Sequence, residues 1–186
     1  MLPAILEALH GIQRSFSGSQ YVSDHPECFE ILRSKVEHLG VKGRIIFDHN
    51  QFFNCSCTRQ PARVRSLLQA GGEVRVYRPE NGRFACMHAK MWVLDAEVVL
   101  TGSPNTTENG LSRSKEHLWL VRLPHCASFV VNDFEQIWPA SRAVTLEDTY
   151  RAEERSQERR SRRSRSLSRA HSASINRELI PELDGD

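Results

Sequence analysis

His88 and Lys90 stand two residues apart. Asp95 follows, and then Gly102-Ser103-Pro104-Asn105. The pattern H-x-K-x4-D-x6-G-S-x-N fixes six residue types at set spacings. At roughly one in twenty per position, chance produces such a string about once in 10^7 to 10^8 starts. Chemistry is the better explanation. Met87 to Leu94 is rich in apolar residues and reads as a strand, so His88 and Lys90 point the same way. An imidazole beside an ammonium is unfavourable unless an anion lies between them. Phosphate fits that role. Lysine supplies charge, and histidine attacks phosphorus or moves a proton. Asp95-Ala96-Glu97 makes a short turn, and Val98-Val99-Leu100-Thr101 is the returning strand. Gly102 permits close backbone approach. The Ser103 hydroxyl and the Asn105 amide can bind phosphate oxygens. The arrangement needs no metal and no cofactor.

The elements that must position these groups alternate along the chain. A helix is expected near 2–14, with Leu2, Ile5, Leu6 and Leu9 on one face. Ser17 to Asp24 is a candidate first strand, interrupted by Gly18 and serines. A helix near 26–39 turns Phe29, Leu32, Val36 and Leu39 inward and stops at Gly40. Arg44 to Asp48 is a buried strand. A loop through Cys57 leads to a helix near 61–70, stopped by Gly71-Gly72, and Glu73 to Tyr77 is the next strand. The motif hairpin and an apolar strand after Glu116 follow. A last helix runs from Phe129 to Trp138, burying Val130, Phe134, Ile137 and Trp138. This order implies an α/β fold, a mixed sheet with helices on both faces.

Composition sets further bounds. The 186 residues allow one sizeable domain, taken as 1–142, and a tail, 143–186. From residue 151 onward there are nine Arg against seven acids, while residues 1–150 balance to zero net charge. The basic excess sits in about residues 151–170, which include an Arg/Ser run from Arg159 to Arg169. Such a run buries too little apolar surface to fold and is expected to be largely disordered. It reads as a solvated linker, or as a contact for RNA or an anionic membrane, or as a nuclear import signal. Five cysteines without a C-x-x-C argue against a disulfide framework or zinc module. Cys55-Ser56-Cys57 near His49 reads as an ordinary loop, with a metal site as the weaker alternative. No run approaches the ~20 apolar residues of a membrane span. Residues 1–10 do not look like a secretory signal. The expectation is an intracellular protein, cytoplasmic or at the mitochondrial surface, with the nucleus open through the basic tail.

The motif resembles the signature of the phospholipase D superfamily. Ile45-Ile46-Phe47-Asp48 and Phe134-Glu135-Gln136-Ile137-Trp138 resemble segments of its single-motif branch, from about Ser15 to Ala140. That branch includes a mitochondrial cardiolipin hydrolase and a small bacterial endonuclease. The resemblance implies a phosphodiesterase acting through a histidine nucleophile. Its substrate would be a phospholipid such as cardiolipin, or a single-stranded nucleic acid. His88 and Lys90 would be catalytic. Lys90, Ser103 and Asn105 would hold phosphate, and Asp95 and Gly102 would be structural. Glu116 matches an acid that orients the catalytic histidine in this branch. Single-motif relatives pair their motifs between chains. Only one H-x-K occurs here, and the reaction needs both a nucleophile and an acid, so a homodimer through the motif face is expected. Thr106 departs from the family, which has an aromatic there, and the change is expected to loosen the phosphate pocket wall. Two other readings stay open: a catalytically silent scaffold, and an RNA-associated protein acting through its Arg/Ser tail.

Overall fold

The computed structural model describes residues 1–54, 59–80 and 85–178, with 167–178 described as backbone only. Three parallel strands form its centre: β1 (Ser15–Gln20), β2 (Lys42–Asp48) and β3 (Glu73–Tyr77). An antiparallel meander, β4 (Lys90–Leu94), β5 (Val98–Gly102) and β6 (Leu118–Val121), attaches to the other edge of β1. The two-residue β7 (Arg142–Ala143) pairs antiparallel with β3. The order is β6-β5-β4-β1-β2-β3-β7, a mixed sheet as expected. The chain builds outward from β1 to β3, then returns to the far side of β1. That reversal makes a switch point between β1 and β4, where the end of β1 meets the start of the antiparallel β4.

Helices cover both faces. α1 (Leu2–His10), α2 (Pro26–Leu39), α3 (His49–Asn54) and α4 (Gln60–Gln69) lie over the larger core. Alternation sends Phe16, Ile45, Phe47, Val74, Val76, Trp92, Leu94 and Leu100 into that core. The opposite face carries Ile46 and Val93 and is covered by α5 (Pro124–Ala140), through Phe134 and Ala127. α2 ends as expected at Gly40, which adopts φ 64°.

Several boundaries differ. The first strand starts and ends earlier than expected, because Tyr21 to Asp24 leave the sheet to carry loop contacts. The first helix stops at His10, capped by Gly11, whose N–H bonds Glu7 O. The motif strand begins at Lys90, and His88 lies in the segment just before it. A helix, α3, occupies part of the expected loop after Asp48. The last helix of the expected core starts five residues early, at Pro124, a favoured first helical residue.

The largest difference concerns the tail. Residues 146–178 form one helix, α6 (Leu146–Glu178), whose first turns pack on α3 and α4. Val144, Thr149, Ala152 and Ser156 are buried there, so the packed unit passes the boundary placed at 142. Local chemistry explains the start. Thr145 N donates to Asp148 Oδ2 at 3.0 Å, and Asp148 N donates to Thr145 Oγ1 at 3.1 Å. That reciprocal pair is a capping box. Arg65 adds a half-buried ion pair to Glu153 at 2.9 Å. The charge-rich composition of this segment conceals the cap and the small residues that seat it.

Candidate active site

His88 and Lys90 lie at the switch point, beside Tyr21. Tyr21, just past β1, donates its N–H to Ala89 O at 2.8 Å. That contact aligns the segment entering β4. The His88 ring meets the Tyr21 ring edge-on at 4.5 Å between centroids. Lys90 Nζ stands 4.9 Å from the same ring centroid and donates to His88 O at 2.8 Å. The two side chains therefore share one face, although only Lys90 is in the strand. Tyr21 was not singled out in the sequence. An aromatic at the end of a central strand was the one available signal.

Electrostatics link Lys90 to Glu116. Partial burial pulls the Lys90 ammonium below its ordinary range, while Cys86 and Glu116 pull it back up. Glu116, just before β6, accepts a short hydrogen bond from Ser103 Oγ. Among the described residues this carboxylate meets Ser103 and not His88. Ser103 Oγ also accepts from His117 N at 3.2 Å, and Ser103 N donates to His117 O at 3.0 Å. Gly102 has to be glycine. A β-carbon there would lie 2.1 Å from His117 O, so the close approach serves the β5–β6 contact. Asn105 is half-buried, and its Oδ1 is buried without a hydrogen-bond partner among the described residues. Buried polar atoms are nearly always paired, and this one is left open beside the motif loop.

Two further residues hold this rim. Asp48, 1% exposed, accepts from Met87 N at 3.0 Å and from Gln51 N at 2.8 Å. It thereby anchors the residue next to His88. Thr106 is 5% exposed and far from loose. It donates to Gln20 Oε1 at 3.1 Å and accepts from Trp92 Nε1 at 3.1 Å. Its carbonyl takes the N–H groups of Asp24 and His25 at 2.9 and 3.0 Å. A buried polar joint thus stands where the family has an aromatic.

Asp95 lies at the far end of β4. Its carboxylate accepts from Gln13 N, Arg14 N and Ser15 N at 2.9, 2.7 and 2.9 Å. Asp95 and Ala96 both have positive φ, 54° and 58°, forming the hairpin turn. No group of three or more His, Cys, Asp or Glu among the described residues is placed to hold a metal ion. Cys55 and Cys57 lie outside the described residues. No helix among the described residues is long and apolar enough to cross a membrane.

Imidazole, ammonium, hydroxyl and carboxylate at a sheet switch point are the marks of phospholipase D-type phosphodiester hydrolases. The chain belongs to that family: the model for the phospholipase D-like domain of cardiolipin synthase matches residues 5–138. Among solved structures, the fold is similar to Nuc, a phospholipase D family member from Salmonella typhimurium. The identity is 19%, the TM-score 0.67, and the match covers 77% of this chain and 90% of that one. NucT from Helicobacter pylori matches at 17% identity and TM-score 0.67, with the same coverage. Phosphatidylserine synthase from Haemophilus influenzae matches at 14% identity and TM-score 0.60, over 75% of this chain and 36% of that one. A comparison with curated proteins returns no match.

Proposed function

We propose that the chain is a metal-independent phosphodiesterase whose nucleophile is His88. The observation that carries this reading is the convergence of His88 and Lys90 on Tyr21, within the electrostatic reach of Glu116. One imidazole nitrogen of His88 attacks phosphorus, and the bond to the leaving oxygen breaks as that oxygen takes a proton. Water then attacks the phosphohistidine, the P–N bond breaks, and the imidazole is regenerated. Lys90 and Asn105 stabilise the non-bridging oxygens as charge builds up. Ser103 supports the phosphate, with Glu116 fixing its hydroxyl. We also assign to Glu116 the orientation of His88. The substrate is a cardiolipin-like phospholipid or a single-stranded nucleic acid.

The leaving oxygen needs an acid, and we assign it to His88 of a second copy. β6 is an edge strand, with Trp119 68% exposed beside the Gly102–Leu118 pair. An interface there would bring two motif rims toward one phosphate.

The test uses purified full chain against cardiolipin vesicles and single-stranded DNA and RNA, in chelator, beside His88→Asn. Turnover that survives chelation and vanishes in the variant is expected, with an acid-labile phosphoryl adduct on His88 after rapid quench. Full activity in His88→Asn refutes the nucleophile. For the dimer, inactive His88→Ala subunits mixed with wild type should lower activity after exchange. A fully active monomer in sedimentation refutes it.

A further inference from the structure

A groove of about 330 Å³ lies between α3 and the first turns of α6, outside the motif site. Arg142, Arg151 and Arg155 line it, with His49, Phe53 and Asn54 on the α3 side. One carboxylate, Asp148, also faces it and pairs with Arg142 at 2.8 Å. Arg151 pairs with Glu147. Arg155 is exposed and has no ion pair among the described residues. Arg159, one turn further, reaches Asn54 Oδ1 at 3.3 Å. His49 Nδ1 is buried without a hydrogen-bond partner among the described residues. The Arg142 guanidinium sits 5.4 Å from the centroid of the Phe53 ring. Two of the three lining guanidiniums are thus paired, and Arg155 carries the uncompensated positive charge of the groove.

Spacing and continuity select the ligand. Arg151, Arg155 and Arg159 recur every four residues, about 6 Å apart along the helix axis. An evenly spaced row of guanidiniums suits the repeated phosphates of a strand better than one headgroup. α3 also connects the groove to the motif. Gln51 on α3 donates to Tyr21 Oη at 2.7 Å, and Tyr21 touches His88. From Glu153 to Ser166 the helix carries no apolar residue, so it lacks the face that would enter a bilayer. Arg142, Arg151 and Arg155 all lie beyond residue 138, where the family match ends.

We infer that this groove binds the phosphate backbone of a single-stranded nucleic acid and leads it along α3 to His88. The inference rests on the proposed phosphodiesterase reading and names its substrate class. Arg155→Ala and Arg155→Glu are the primary variants, since Arg155 is exposed and removing it breaks no pair. Binding of a labelled oligothymidine is followed by anisotropy across a salt series, in full-length protein carrying His88→Asn to prevent cleavage. Each lost phosphate contact lowers the salt slope by about 0.7 for a single strand, so affinity near 0.1 M salt should fall roughly 5-fold for Arg155→Ala. Arg155→Glu should fall further, and Arg151→Ala with Arg155→Ala roughly 25-fold. With His88 intact, Arg155→Ala should hydrolyse bis(p-nitrophenyl) phosphate at the wild-type rate. Unchanged oligothymidine affinity and slope in Arg155→Glu overturn the inference. A loss confined to anionic vesicles also overturns it. If wild type hydrolyses no phosphodiester but the binding losses occur, the catalytic reading fails while the groove assignment stands.

Discussion

Replacing Asp95 by Asn should destabilise the fold without disabling the site. Asp95 Oδ1 accepts two backbone N–H groups, from Arg14 and Ser15, and Oδ2 accepts one from Gln13. An amide retains one acceptor oxygen. Placed at Oδ1, that oxygen keeps two bonds without the charge, while the NH2 faces the Gln13 N–H as donor against donor. One charge-assisted bond is lost and two are weakened. Hydrogen bonds to charged groups are worth about 1.5–3 kcal/mol, and partial exposure lets water recover some of that, so the expected cost is about 2 kcal/mol. Asn tolerates the positive φ of this turn, so the backbone adds little. Asp95→Ala should cost about 1 kcal/mol more, because alanine is strained there.

The same residue makes a pH prediction with a definite sign. Partial burial pushes the Asp95 carboxyl up, but the N–H groups of Ser15, Arg14 and Gln13, with the Arg14 charge, hold it below its ordinary value. A depressed folded value means the stabilisation is full above the unfolded carboxyl pKa of about 3.9 and is lost as pH falls through the folded value. Urea unfolding of wild type and Asp95→Asn at pH 7 should differ by about 2 kcal/mol, and the gap should shrink below about pH 4. Turnover on a small phosphodiester should persist in the folded variant, since His88 is about 20 Å away along the strand at ~3.3 Å per residue. Equal stability at pH 7, or a gap that does not change with pH, would refute the reasoning. Lost turnover in a folded variant would do the same.

Other expectations follow from the same contacts. Asp48→Asn should lower kcat about 10-fold with little change in KM, because the Met87 anchor weakens and His88 loses its alignment; steady-state kinetics on a small phosphodiester would show a pure KM effect if this is wrong. Thr106→Val should cost about 1–3 kcal/mol in urea unfolding, since it strands Gln20 and Trp92 in the core. A chain ending at Val144 should melt roughly 5–10 °C below full length, because it removes Ala152, Ser156 and the Arg65–Glu153 pair; a chain ending at Ser166 should melt with full length. Equal melting of both truncations would show that α6 contributes nothing to the fold.

Much of the architecture was legible because long periodic stretches report burial directly. α2, β2, α4 and β3 lie where their apolar spacing and flanking glycines put them. The family was legible from the identity and spacing of the motif residues, since few other patterns use histidine, lysine, serine and asparagine in that order. What could not be read was carried by single residues that act at a distance. Asp48 reaches Met87 and Thr106 reaches Gln20 and Trp92, and no local pattern announces either contact. Glu116 was assigned by offset, which places it near the site but does not choose between His88 and Ser103 as its partner. The tail misled because average composition outweighed a four-residue cap. Thr145 and Asp148 start a helix whose small buried residues need no apolar run.

The polar first strand, which looked like a weak element, is the reason the site holds together. β1 is central, and Gly18 pairs across from Trp92. A β-carbon at Gly18 would sit 2.5 Å from the Trp92 ring, so this position must stay bare for the indole to lie flat on the strand. Gly43 does the same for Phe16, whose ring would lie 2.3 Å from an added β-carbon, and Phe16 in turn packs edge-on against Trp92 at 6.3 Å. The indole so seated offers its N–H to Thr106, one residue beyond Asn105. Thr106 also takes the chain end of β1 through Gln20 and, with its carbonyl, the start of α2. Packing in the core is thereby converted into a fixed loop at the rim. A larger residue at Gly18 would therefore perturb Asn105 through Trp92 and Thr106, without touching His88, Lys90 or Asn105 itself.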